Sequence, residues 1–294
     1  MSEYPDVIII GMGALGRTLA DALQNISVPI KSVVTSKKKE ALSFSGMNPA
    51  VYKSVNELKI EEPAILFIAV PDDIIEKVAS DIAAIKGVEW ESVVITHCSG
   101  AQTSDFLDIL KKRGASVAAF HPLQTFSMFS EADSFQDIFI SIEGDQKAVH
   151  VLDNMARELG SKTLILSKEQ KQKLHISAVF ASNFLVAIMN AAENLADETG
   201  IDDSFSVLKP LVEQTLGNIY NGGTEKALSG PLVRGDTKTI KNHLELLKSK
   251  PRLRELYISA GLYILSELNG KSLPDQKIKI LEHLFTDGRE KAKE

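Results

Sequence analysis

Apolar residues fall in short runs along the first half of the chain and recur every three or four positions along the second. The first run, Val7 to Ile10, is rich in β-branched residues and reads as a buried strand. Leu15, Leu19, Ala22 and Leu23 follow it at helical spacing. Further strands are predicted at Pro29–Thr35, Ala64–Val70, Ser92–Thr96 and Val117–Phe120, with outer strands at Ile138–Ile142 and Thr163–Leu166. Helices lie between them over Ile74–Ile85, where Ile75, Val78, Ile82 and Ile85 share a face, and over Lys147–Leu159. Strands alternating with helices predict an α/β fold with a doubly wound, mostly parallel sheet.

From Lys168 onward the strand signals stop. Lys168 to Glu198 reads as one helix of about eight turns, striped by Leu174, Ala178, Ala181, Leu185, Ile188, Ala192 and Leu195. Helices are then predicted at Phe205–Tyr220, Thr237–Leu247, Leu253–Leu268 and Asp275–Leu284. The chain is therefore expected to divide into a sheet domain, residues 1–167, and an all-helical domain, residues 168–294. A helix this long in so small a domain is usually central and packed against a second subunit, so a homodimer through the C-terminal helices is expected. Its most apolar stretch, Ile176 to Ala192, is interrupted by Ser177, Ser182, Asn183 and Asn190, which reads as a buried helix and not a membrane span.

Composition narrows the class. With 44% hydrophobic and 24% charged residues in 294, the chain has the make-up of a soluble globular protein. A net charge of −6 argues against a nucleic-acid surface. The single cysteine, Cys98, excludes an internal disulfide framework and fits a reducing compartment. No basic n-region with a cleavage site precedes the first strand, so a cytoplasmic location is expected.

The first strand ends in Gly11-Met-Gly-Ala-Leu-Gly16, a GxGxxG turn leading straight into a helix. Glycine is needed there for the tight turn, for close approach of backbone to a pyrophosphate, and for packing helix on strand. Gly11, Met12, Gly13, Ala14, Leu15 and Gly16 are thus candidates to hold a dinucleotide on the free amides of the helix N-terminus; a turn that merely packs is the alternative. About 20 residues further on, an NAD site places a carboxylate on the ribose hydroxyls. This chain has Thr35, Ser36 and Lys37 instead, which suit a 2′-phosphate and favour NADP(H), although lysines at a helix start are also ordinary surface. The turn Val70-Pro71, beyond the carboxyl end of a strand, is expected to face the cofactor.

Two consecutive strands deliver Thr96-His-Cys-Ser-Gly100 and His121-Pro-Leu-Gln-Thr125 to the same edge. No close ligand pair has zinc spacing, so no metal is expected. Ser99 and His121 read as hydrogen-bonding groups beside the nicotinamide, with a structural role equally open for either histidine. On the long helix, His175 and Ser182 lie seven residues apart, with Asn183 beside Ser182. Arg234, in a loop between glycines, is a candidate clamp for an anionic group or a bridge to the other subunit. Asp236 reads as a helix N-cap.

A two-domain chain of this kind resembles the 6-phosphogluconate dehydrogenase-like superfamily, which includes ketopantoate reductase, pyrroline-5-carboxylate reductase and the β-hydroxyacid dehydrogenases. More closely, it resembles a family of uncharacterised Rossmann-like candidate NADP oxidoreductases with a helical C-terminal domain. His121-Pro-Leu-Gln-Thr-Phe126, His175 with Ala181-Ser-Asn183, and Gly230-Pro-Leu-Val-Arg-Gly-Asp236 carry that resemblance. It implies a Rossmann domain and NADP(H). In ketopantoate reductase and the β-hydroxyacid dehydrogenases a lysine and asparagines of the long helix contact the reacting oxygen; setting Asn183 on one asparagine puts His175 at the lysine. The expectation is an NADP(H)-dependent oxidoreductase acting on a small polar carbonyl, hydroxyl or imine. His175 and His121 would be its acid/base groups, with Ser99, Asn183 and Arg234 positioning the substrate. A non-catalytic NADPH-binding or redox-sensing protein on the same fold is the alternative.

Overall fold

The computed structural model describes residues 4–36, 48–268 and 273–290. It divides into two compact units, Met1–Leu185 and Val186–Glu294. The division falls within the long helix, where the strand signals alone suggested 167/168.

In the first unit the elements are β1 (Asp6–Ile10), α1 (Ala14–Asn25), β2 (Ile30–Val34), β3 (Ala50–Tyr52), β4 (Ala64–Ile68), α2 (Ile75–Ala83), β5 (Val93–His97), α3 (Asp108–Lys111), β6 (Ser116–Pro122), β7 (Phe139–Gly144), α4 (Gln146–Glu158), β8 (Lys162–Ile165) and α5 (Lys168–Val179). The sheet order is β3-β2-β1-β4-β5-β6-β7-β8. The pairs from β3 through β6 are parallel, β7 runs antiparallel to β6, and β8 is parallel to β7. The strand order reverses at β1, so a crevice opens beyond the carboxyl ends of β1 and β4, the usual place for a ligand in such a sheet.

The central strands are covered on both faces and therefore read as unbroken apolar runs. Alternate side chains serve opposite cores. Val7 and Ile9 of β1 and Phe67 of β4 join Leu19 and Leu23 of α1 and Leu152 and Met155 of α4. Ile8 and Ile10 join Leu66 and Ile68 with Ile75 and Ile82 of α2 and Trp90. The edge strand β3 has no such run, because it spans three residues and is partly exposed; the apolar pattern passes over it. β6 continues two residues beyond its expected end, so His121 lies within the strand, paired with Ser141 of β7.

The long helix is not uniform. After α5 the segment Phe180–Phe184 is a π turn, and α6 (Leu185–Asp197) continues beyond it. A π turn takes up an additional residue and so displaces the faces that follow. The helix was expected to be buried, yet within this chain it is largely exposed: Ile176, Phe180, Val186 and Ile188 retain 58, 63, 68 and 49% of their surface. Of the expected stripe, Leu185 and Leu195 join Ile188 among the exposed residues, each retaining 38% of its surface. By length and composition alone Lys168–Asp197 would also suffice to cross a membrane, with an 18-residue window of mean hydropathy 1.5.

The second unit continues with α7 (Ser204–Ala227), α8 (Pro231–Arg234), α9 (Thr237–Leu246), α10 (Pro251–Leu268) and α11 (Asp275–Glu290). Its core joins Ile240 and Leu244 of α9, Ile258 and Leu265 of α10, and Leu281 and Phe285 of α11. Gly261 lets α10 approach α11 closely, since a Cβ there would stand 2.5 Å from the Phe285 ring.

Candidate functional site

The three glycines after β1 do different work. Gly11 has φ +99°, and a Cβ on it would meet the Ala69 carbonyl oxygen at 2.3 Å. A Cβ on Gly16 would meet the Gly11 carbonyl oxygen at 1.9 Å. Both are required by the turn itself. Gly13 is not: its backbone is extended, and a Cβ there would have nothing within 4 Å. Gly13 is also the N-cap of α1 and places no side chain on the first-turn amides. Open space thus remains in front of unsatisfied N–H groups at the positive end of a twelve-residue helix.

That space belongs to a cleft of about 340 Å³. Of the residues expected to hold a dinucleotide, Gly11, Met12, Gly13, Thr35, Ser36, Val70 and Pro71 line it. Ala14, Leu15 and Gly16 open α1 beside it, and Lys37 lies outside the described residues. Lys53 and Ser54, which the sequence reading lacked, also line it. They follow β3, the strand that leaves no apolar run.

Further along the same sheet edge, the loop after β5 is fastened from several sides. His97 is fully buried. Its Nε2–H donates to the Thr103 carbonyl at 2.9 Å, leaving Nδ1 to accept the Ser99 amide at 3.2 Å. Both ring nitrogens are thereby committed to the loop, and burial lowers the His97 pKa to about 4. His97 organises the turn and has no nitrogen left for chemistry. The buried Glu143 carboxylate accepts the Ser104 amide at 2.9 Å and the Ser104 hydroxyl at 2.7 Å. Ser99 Oγ accepts the Gln102 amide at 3.0 Å, so the hydroxyl expected to face a substrate also closes its own loop. The Cys98 thiol is buried, which raises its pKa to about 12 and makes it a poor nucleophile.

The least expected member of this cluster is Lys171. It is 1% exposed, and its ammonium donates to the carbonyl oxygens of Ser99 at 2.7 Å and Gly100 at 2.6 Å. Burial lowers its pKa to about 8, against the favourable field of Glu143 and Asp72. In the sequence it sits in the polar run Lys168-Glu-Gln-Lys-Gln-Lys173 and looks like solvated surface. The available signal was its spacing, one helical turn before His175.

His121 and His175 meet over the turn that Lys171 fastens. Their ring centroids are 5.8 Å apart at 74°. A Cβ on Gly100 would lie 2.7 Å from His121 Nε2 and 2.3 Å from His175 Nδ1, so both nitrogens converge on one bare backbone position. His121 Nδ1–H donates to the Cys98 carbonyl at 3.4 Å, which leaves Nε2 as an acceptor. Burial, reinforced by the Lys171 charge, lowers the His121 pKa to about 4. His175 Nδ1 is buried with no hydrogen-bond partner among the described residues. Both rings line a cleft of about 410 Å³ together with Gln124, Ser182 and Asn183. Ser182 donates to Asn183 Oδ1 at 2.9 Å within the π turn, a bond that does not use the Asn183 amide N–H groups.

Arg234 belongs to the second unit, exposed at the end of α8, with its charge beside Asp236. Asp236 caps α9, accepting the Thr239 amide at 3.1 Å and the Thr239 hydroxyl at 2.7 Å.

Two domain families match the chain: a Rossmann-like domain over residues 4–122 and a domain of unknown function, DUF2520, over residues 138–264. No curated protein matches it in sequence. Among solved structures, a candidate NADP oxidoreductase from Bacteroides fragilis is similar, with a TM-score of 0.74 at 24% identity, over 88% of this chain and 97% of that one. A protein from Thermotoga maritima has a TM-score of 0.65 at 24% identity, over 96% of this chain and 99% of that one. A reductive aminase from Aspergillus terreus, in complex with NADPH and ethyl levulinate, has a TM-score of 0.62 at 14% identity, over 95% and 98%. At these identities the likeness is one of fold. The chain is thus similar to a Rossmann-like domain over residues 4–122 and to a DUF2520 domain over residues 138–264, in that order.

Proposed function

We propose that the protein is an NADP(H)-dependent oxidoreductase acting on a small polar carbonyl, hydroxyl or imine compound. The single observation that carries this reading is the bare Gly13 N-cap of α1, open to a cleft at the strand-order reversal of the sheet. A dinucleotide fits that place: its diphosphate would rest on the α1 amides, with Thr35 and Ser36 toward the adenosine and Val70-Pro71 along the other wall. The similar fold of a reductase holding NADPH beside a keto ester supports both the cofactor and a carbonyl substrate.

The cofactor supplies hydride chemistry. The chain's own contribution is orientation and a proton. His121, neutral with its proton on Nδ1, presents Nε2 as an acceptor; His175 presents an uncommitted Nδ1. Asn183 offers amide hydrogens to an oxygen or nitrogen of the substrate from the π turn.

His175→Ala tests the reading directly. Turnover should fall by about 100-fold or more while NADPH affinity is kept, as for loss of an acid/base group. Slow NADPH oxidation with one of a panel of keto acids, aldehydes and imines supports the enzyme. Binding without turnover on any of them, together with a changed oligomeric state, points instead to a redox sensor.

We also propose that the exposed apolar stripe of α5 and α6 is covered by a second copy, giving a homodimer. Sedimentation of the purified protein as a monomer at micromolar concentration would exclude it.

A further inference from the structure

The cleft beyond β1 and β2 is lined by backbone, apolar side chains, hydroxyls and one ion. Among the described residues that line it, Lys53 is the only charged one, and no carboxylate is present to receive ribose hydroxyls. The sheet register fixes where this cation stands. Val34 of β2 is paired with Tyr52 of β3, and the Thr35 amide donates to the Tyr52 carbonyl at 3.0 Å. Lys53 therefore follows β3 as Thr35 follows β2, side by side at the carboxyl ends of adjacent strands. Ser54 turns its hydroxyl to the Asn56 amide at 3.3 Å, which ends the strand there and keeps Lys53 at its tip.

We propose that Lys53, with the Thr35 and Ser36 hydroxyls, forms the subsite for the 2′-phosphate of NADP(H) and selects it over NAD(H). The cation would come from the short edge strand β3, one strand further out than the β2 end where an adenosine-binding residue is ordinarily sought. The assignment rests on the cofactor reading above. The lining favours it: a lysine beside two hydroxyl residues, with no acid among the described lining residues, suits a dianionic group better than a bare ribose. Lys53 is exposed and outside the apolar cores, so its substitution leaves the fold intact.

The experiment is calorimetric titration with adenosine 2′,5′-bisphosphate and with 5′-AMP, on the wild type, Lys53→Met and Lys53→Arg, followed by NADPH and NADH. The wild type should prefer the bisphosphate. Lys53→Met should lose that preference by about 10- to 100-fold with 5′-AMP binding unchanged, and Lys53→Arg should keep most of it. A preference that survives in Lys53→Met overturns the assignment and leaves the cofactor reading standing. A wild type that binds both nucleotides equally overturns the phosphate subsite while dinucleotide binding is still read from NADH. A wild type that binds neither NADPH nor NADH removes the cofactor reading itself and the subsite with it.

Discussion

The ammonium of Lys171 lies 2.6 Å from the carbonyl oxygen of Gly100, and the α-carbon side of that same glycine faces His121 Nε2 and His175 Nδ1. One buried cation thus holds, from behind, the piece of backbone on which two candidate acid/base groups rest.

Replacing Lys171 by Met should therefore act twice. Two buried carbonyls lose a charged donor, which should cost about 1–3 kcal/mol of stability for each group left unpaired. The folded-state pKa of Lys171 is about 8, below its ordinary value, so the unfolded chain binds the additional proton between roughly pH 8 and 10.4. The wild type should gain stability as pH rises through that window, and Lys171→Met should lack this gain. Urea denaturation at pH 7.5 and 10 measures both effects.

At the acid end the sign is set by His97 and His121, each lowered to about 4. Unfolded histidines take up protons near pH 6.5 while these two remain neutral, so their contribution to stability is lost as pH falls from about 6.5 to 4. His121→Asn should flatten that decline. Histidine NMR should also show His121 with its proton on Nδ1 at pH 7, and its midpoint should move upward in Lys171→Met because a repelling charge is gone.

Gly13 and Gly16 should separate binding from folding. Gly16→Ala puts a Cβ 1.9 Å from a carbonyl oxygen and should lower stability by about 1–3 kcal/mol or more, as in other overpacked sites. Gly13→Val places its Cβ where nothing lies within 4 Å and should melt like the wild type while losing NADPH binding. Thermal melts with and without NADPH distinguish the two. A Gly13→Val protein that binds normally would mean the space is not where the dinucleotide goes.

Cys98 should be inert. Buried and with its pKa raised to about 12, it should not react with a thiol-specific disulfide reagent until the protein unfolds. Cys98→Ala should retain the cofactor affinity of the wild type. Rapid labelling of the native protein would show that the β5 loop opens.

The sheet was legible because its strands are buried on both faces and cannot hide their apolar runs, and the glycine turn because its chemistry demands glycine at fixed steps. β3 was not, since three half-exposed residues carry no pattern; Lys53 was missed with it. Lys171 was missed for the opposite reason. Its neighbours in sequence are solvated, and only the fold reveals that this one position of the run turns inward to the β5 loop. His121 and His175, 54 residues apart, could be proposed as partners from the strand ends and the helix, but the glycine between them is a tertiary fact. The π turn at Phe180–Phe184 was hidden within an otherwise ordinary helical spacing.

Gly100 has one more consequence. The bare Cα at that position is a spacer that sets the gap between two imidazoles, with clearances of 2.3 and 2.7 Å where a methyl would stand. Adding that methyl changes no ionisable group, yet neither ring can stay where it is. Residue 100 thus acts as a spacer: both rings can approach this backbone so closely only while it carries no side chain.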